Sequence, residues 1–346
     1  MRAVRSEDLQ RFAAAVFAAH GASAADARAV AESLVKASLL GHDSHGLLRI
    51  KRYVDSIVAK KLNPAAQPRV ASQRGATAVI DGGHGFGHVS AMFGVKTALE
   101  LAAAQGVGAV ALSNTNHIGR LADYAEAISA TGYIALIFTS GAGPGGSVAP
   151  YGGRERVFGT NPIAWGLPVT PPRPPLVADF STSAVPEGKL NMAQSRGEPA
   201  PAGALLDKEG RPTNNPADFY AGGALLPFGG PKGSSLMLFV EVLACILAGS
   251  VPSSSPEYRT GNPTMMLAIK VDAFVPWAEY LRHTEALLQR IENSHPAEGF
   301  DRVLLPNALE IETGQRRRRE GIPIPDSLWT ELAGLAKETG TPLPQS

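Results

Sequence analysis

Apolar positions recur at helical spacing over the first forty residues, turn to short strand-like runs from Thr77, and return to helical spacing near the C-terminus. Ser6 is placed to cap a helix running to His20. Ser23 is placed to cap a second over Ala24 to Leu40, with Asp26 three positions on and Gly41 ending it. Leu48 to Val58 predicts a third helix before the proline-containing segment Asn63 to Pro68. Thr77 to Ile80, Asp81 to Gly87, Val89 to Ala104 and Gly108 to Leu112 then read as strand, glycine turn, helix and strand. A second round follows, with a helix near Leu121 to Thr131 and a strand over Ile134 to Thr139. This alternation predicts an α/β layer.

Glycine and proline punctuate the rest. Gly141 to Gly153 predicts a loop whose main chain approaches a ligand or simply turns at the surface. Pro199 to Gly223 reads as a long irregular connection. Pro227 to Gly233 opens an apolar helix over Ser234 to Leu247, and a last helix near Ser327 to Lys337 is assigned to packing or capping.

Length and composition narrow the function. A chain of 346 residues predicts two lobes with a substantial interior. With 18% charged residues and a net charge of +1, no broad basic surface for nucleic acid or an anionic membrane is expected. Cys245 is the only cysteine, inside an apolar run, so it reads as inert core in a reducing compartment. Arg2, Arg5, Glu7, Asp8 and Arg11 break up the N-terminus, which does not read as a signal peptide. A cytoplasmic protein is the expectation.

The chemistry concentrates just past the second helix, in Gly41-His42-Asp43-Ser44-His45-Gly46 and Arg49. An imidazole exchanges protons near neutral pH, and a guanidinium four residues on grips a planar carboxylate through paired hydrogen bonds. Together they suit a 2-oxo or 2-hydroxy acid, although His-Gly also makes an ordinary helix-ending turn. His42 and His45 have a spacing compatible with a metal-binding protein, but no Cys or Glu cluster accompanies them. The turn Gly83-His84-Gly85-Phe86-Gly87 lacks the dinucleotide-fold spacing, and no acidic residue ends the next strand, so a Rossmann reading is rejected. Lys232 at a helix start reads as a phosphate site or a plain turn, and Arg316 to Arg319 as a solvated face.

Taken in order, Gly41 to Gly46, Asn116-His117-Ile118-Gly119, Phe158 to Pro162, Asp179-Phe180-Ser181-Thr182-Ser183, Gly188-Lys189 and Gly229 to Gly233 resemble the malate/L-lactate dehydrogenase family that lacks a Rossmann fold. Asn116 to Arg120 and the ending Arg316 to Ile324 look most like its hydroxycarboxylate dehydrogenase B branch. The resemblance implies a homodimer acting on a small 2-oxo or 2-hydroxy acid with NAD or NADP. It implies an α/β fold with a non-Rossmann, sheet-based cofactor domain over 73–304, a helical part from 1–72, and a C-terminal segment, 305–346, packing back on that part. By position, His45 would be the general acid and base, Ser44 its relay partner, and Arg49 the carboxylate clamp; Thr160 matches a substrate contact. His117, Ile118, Gly119, Arg120, Leu121, Asp179, Phe180, Ser181, Pro231 and Lys232 match cofactor contacts. No metal is implied.

Three alternatives stay open: His117 as the proton-transfer residue, a cyclic imine (piperideine-type) carboxylate as substrate, and a non-catalytic metal or ligand binder. Arg120 is expected either to meet a 2′-phosphate or to face solvent. The chain departs from the family at Pro306 to Glu310, and Lys189 stands where piperideine-carboxylate reductases carry an acid.

Overall fold

A computed structural model of the chain describes residues 2–141, 143–258 and 261–345; Ala142, in the glycine-rich loop, lies outside them. It starts with β1 (Arg2–Val4), α1 (Ser6–Ala19), α2 (Ala24–Leu39) and α3 (Arg49–Val58). Leu9, Phe12, Ala13, Val16 and Phe17 form the buried stripe of α1 at i, i+3, i+4, i+7 and i+8. Ser23 caps α2 as expected, accepting the Asp26 N–H at 3.1 Å and donating to its carboxylate at 2.7 Å. Ser6 does not cap α1: Arg5 holds that position, and the Ser6 hydroxyl turns to Glu7 instead.

The alternating region gives β2 (Arg69–Arg74), β3 (Thr77–Asp81), α4 (Gly87–Gln105), β4 (Val107–Ser113), α5 (Ala122–Ser129), β5 (Tyr133–Thr139), β6 (Ile163–Leu167) and β7 (Leu176–Phe180). Next come α6 (Glu187–Arg196), β8 (Leu205–Leu206), β9 (Pro212–Thr213), α7 (Pro216–Tyr220), β10 (Ala224–Leu225), α8 (Pro231–Val240) and β11 (Thr264–Lys270). The chain ends with α9 (Trp277–Glu292), α10 (Ala308–Glu320), β12 (Ile322–Ile324) and α11 (Asp326–Thr339).

Seven strands form one mixed sheet in the order β2-β3-β4-β11-β5-β6-β7. Only β3 and β4 pair in parallel within it; the other neighbours are antiparallel. A doubly wound dinucleotide fold needs a run of parallel strands, so this sheet has another architecture. α4 and α5 cover one face, burying Ala91, Val95, Tyr124 and Ile128 against Val110, Ile137 and Met266.

A second core joins the two ends of the chain. Phe12, Val16 and Phe17 of α1, Leu34 of α2 and Ile50 of α3 pack with Leu328, Leu332 and Leu335 of α11, while β1 pairs with β12. Each fully buried side chain of this size contributes roughly 1.5–3 kcal/mol.

Pro199 to Gly223 is not the irregular connection expected. It contains β8 and β9 of a small sheet ordered β10-β8-β9, plus α7, over a core of Leu190, Leu205, Phe219 and Met237. Two-residue strands carry no period long enough to read. The helix expected from Ser234 starts earlier, with Pro231 at its first position, and passes into a π-helical turn at Glu241–Ile246. Among the described residues no helix is long and apolar enough to cross a membrane.

Candidate active site

α2 stops where Gly41 takes φ +91°, and one 3₁₀ turn, Asp43–His45, follows. A side chain at Gly46 would meet the Ser38 hydroxyl at 2.0 Å, and that hydroxyl already accepts the Leu47 N–H at 3.0 Å. The turn is therefore packed tightly on the helix end, which sends Ser44 and His45 outward. They line a cleft of about 350 Å³ together with Arg49, His117, Ile118, Gly119, Leu121 and Thr160. Residues more than a hundred positions apart thus meet in one space.

Arg49, at the start of α3, donates from Nε to the Ser44 carbonyl at 2.7 Å, so its position depends on the same turn. The His45 Nδ1 lies 3.0 Å from the Ser44 hydroxyl. The His45 and His117 rings stack with centroids 5.5 Å apart. Behind them the Tyr53 hydroxyl is 2.6 Å from His117 Nδ1, which the Gly119 N–H also approaches at 3.3 Å. Burial first, and then the Arg49 cation, hold His45 down to about 3 and His117 well below the ordinary imidazole range. Burial keeps the Tyr53 phenol protonated by pushing it upward. Burial against the same group lowers His88 to about 4, and neither of its ring nitrogens has a hydrogen-bond partner among the described residues.

Six predicted cofactor contacts, Arg120, Asp179, Phe180, Ser181, Pro231 and Lys232, lie outside the cleft. Arg120, Asp179 and Phe180 line a second cavity of about 200 Å³ with His42, Asn307 and Glu310. Arg120 does not face solvent: it is 4% exposed, donating to Asp123 at 2.9 Å and Asn307 at 3.2 Å. Asp179 accepts the Ala122 N–H at 3.1 Å at the start of α5, and burial raises its carboxyl above the usual range. Ser181 sits behind the cleft wall, donating to the Thr160 carbonyl at 3.2 Å. Pro231 and Lys232 are exposed at the start of α8 and line neither cavity. His42 and His45 turn apart, His42 toward Glu310 at 3.5 Å and His45 toward Ser44. Among the described residues no group of three His, Cys, Asp or Glu side chains is placed to hold a metal.

The sequence profile of the malate/L-lactate dehydrogenase family matches residues 4–333. The chain belongs to the malate/L-lactate dehydrogenase family. Hydroxycarboxylate dehydrogenase B of Escherichia coli (strain K12) is 33% identical over 346 residues, covering 97% of this chain and 94% of that protein. A Delta(1)-pyrroline-2-carboxylate/Delta(1)-piperideine-2-carboxylate reductase of Pseudomonas aeruginosa is 33% identical over 339 residues, covering 95% and 98%. The solved sulfolactate dehydrogenase of Methanocaldococcus jannaschii superposes with a TM-score of 0.89 at 32% identity, covering 98% of each chain.

In this malate/lactate dehydrogenase relative several cleft residues escaped the sequence reading. Tyr53 stands four positions after Arg49, on the same face of α3, a spacing that could have flagged it. Glu187 and Asn262 also line the cleft, whereas Lys189 is exposed outside it. His88 carries no sequence signal at all. Of the four arginines Arg316 to Arg319, three are exposed as expected, but Arg317 forks onto Asp43.

Proposed function

We propose that this cleft interconverts a 2-oxo acid and its 2-hydroxy acid by hydride transfer with NAD or NADP, with Arg49 holding the carboxylate and His45 moving the proton. The observation that carries the reading is that Arg49, His45 and His117 line one small cleft. The residues present suit a planar ring beside a small acid. Ile118, Gly119, Gly141, Gly143 and Gly261 supply a wall made largely of main chain, and a side chain at Gly119 would come within 2.4 Å of His88 Nε2. When bound, the nicotinamide supplies the hydride chemistry. Arg120, Asp179 and Phe180 would hold a more distant part of the coenzyme in the second cavity.

The two histidines divide the work. Tyr53 O–H and Gly119 N–H both point at His117 Nδ1, so that nitrogen accepts and the proton sits on Nε2. A second proton on His117 would meet two donors. His117 therefore stays neutral and donates a hydrogen bond to the substrate oxygen. His45 instead faces a hydroxyl, Ser44, which donates or accepts as required, and this fits a group that changes its protonation state.

Arg49 also sets when His45 is charged. In the free protein its cation helps keep His45 neutral. Burial is the larger cause of the low His45 value and the Arg49 cation the second, so a carboxylate on Arg49 offsets the second and makes a proton on His45 less costly. The same event clamps the substrate and prepares the proton donor for reduction.

A cyclic imine acid is the second reading, favoured by Glu187, whose carboxylate at the cleft margin suits a cationic ring nitrogen. A panel of open-chain 2-oxo acids and cyclic imine acids, tested with NADH and NADPH by loss of reduced-nicotinamide absorbance, decides between them. Turnover of neither class overturns the proposal.

A homodimer is supported by the exposed apolar residues Leu238 and Phe239 on α8, Val242 and Ile246 on its π-helical turn, and Leu247 just after it.

A further inference from the structure

One face of α10 is given over to the segment that ends in the catalytic turn. Glu310 meets His42 at 3.5 Å; a Cβ built on Gly41 would touch Thr313 at 3.2 Å; one built on Gly314 would touch Leu40 at 2.9 Å. Arg317 completes the stripe. It donates to Asp43 through Nη1 at 2.7 Å and Nη2 at 3.1 Å, and Nη1 also donates to the Ser38 carbonyl in the last turn of α2. Residues 310, 313, 314 and 317 follow the i, i+3, i+4, i+7 spacing of a single helix face. They bear on residues 38–43, immediately before Ser44 and His45.

The other anchors of the turn run to the end of α2: the His42 N–H donates to the Ala37 carbonyl at 2.8 Å and the Leu47 N–H to the Ser38 hydroxyl at 3.0 Å. His45 N to His42 O at 2.9 Å and Gly46 N to Asp43 O at 3.1 Å stay within the turn, so among these bonds only the Arg317 fork grips the Asp43 side chain. The Arg317 side chain is 13% exposed, which shields a bidentate pair from the screening that weakens surface ion pairs. Arg49 hangs on the same turn through the Ser44 carbonyl. Movement of Asp43 therefore displaces both His45 and the clamp.

We infer that α10 is the splint of the catalytic turn and that Arg317, gripping Asp43 and Ser38, is a positioning residue for His45 and Arg49. The inference rests on the proposed role of His45. It explains why a C-terminal helix remote from the cleft carries a half-buried arginine among solvated ones.

The test uses the whole protein with a 2-oxo acid and reduced coenzyme. Misplacing a reacting group by about 1 Å costs up to roughly 100-fold, so Arg317→Ala should lower kcat by about 10- to 100-fold. Asp43→Asn and Arg317→Lys, which keep the shape but weaken the fork, should lose about 3- to 10-fold. Coenzyme affinity, read by fluorescence quenching, should stay within about twofold, and millimolar guanidinium should restore part of the kcat of Arg317→Ala. Arg319→Ala, on the exposed side, is the control. A kcat for Arg317→Ala and Asp43→Asn within about twofold of the parent overturns the inference. So does loss of kcat, coenzyme affinity and melting temperature together with no rescue, which marks a merely structural role. If Arg317→Ala does not fold, Asp43→Asn and Arg317→Lys carry the test. A His45→Gln with the kcat of the parent would defeat the reading of the cleft itself, whereas an inactive His45→Gln beside an unaffected Arg317→Ala defeats only the splint.

Discussion

The His45 and His88 rings both lie against His117, and burial, aided by the Arg49 cation, keeps all three imidazoles neutral near pH 7. A first proton on any of them raises the cost of a second, so the site carries one proton at a time. Binding of a 2-oxo acid, by offsetting the Arg49 cation, should be accompanied by proton uptake that grows as pH falls below 7, measured as the dependence of calorimetric heat on buffer ionisation enthalpy. No uptake would break the link between Arg49 and His45. Stability carries the opposite signature. His88 and His45 have folded values of about 4 and about 3, below the ordinary imidazole value of 6.5, so below pH 6.5 the unfolded chain binds more protons. Their contribution is complete above pH 6.5 and shrinks as pH falls toward 4, by about 1 kcal/mol per pH unit for each group. Urea midpoints should fall over that window, and His88→Gln should flatten the slope. An unchanged slope would show that His88 is not neutral by burial.

Among the elements, α2 was legible because its cap is local: Ser23 and Asp26 satisfy each other within one turn. Ser23→Ala should lower stability by about 1 kcal/mol, read as a lower urea midpoint, with no change in kcat. A stability change near zero would deny the cap its role. α4, β4 and β5 were legible for a similar reason, since their apolar period matches the face they bury. The elements that escaped depend on distant partners. β8, β9 and β10 are two-residue strands held by one another and by a core drawn from residues 148 to 237. α10 has a charged run that reads as solvent-facing until α2 is seen lying against Arg317. The cleft followed the same divide: His45 and Arg49 share one local motif, whereas Glu187 and Asn262 enter through packing that no local spacing announces.

Across the whole molecule, the ends of the chain close one core and the mixed sheet with α4 and α5 forms another. The cleft draws Ser44 and Arg49 from the first region, and His117 and Thr160 from the second. The exposed apolar stripe on α8 and the π-helical turn predicts a dimer in solution, and Phe239→Glu with Ile246→Glu should convert it to monomer by sedimentation velocity. A parent protein that sediments as a monomer would refute that prediction. The central claim, that one imidazole moves the substrate proton beside one carboxylate clamp, is tested most directly by His45→Gln, with kcat for 2-oxo acid reduction and coenzyme affinity measured on the same preparation. A loss of kcat of about 100-fold or more with coenzyme affinity unchanged is the predicted result. A kcat equal to that of the parent would contradict it.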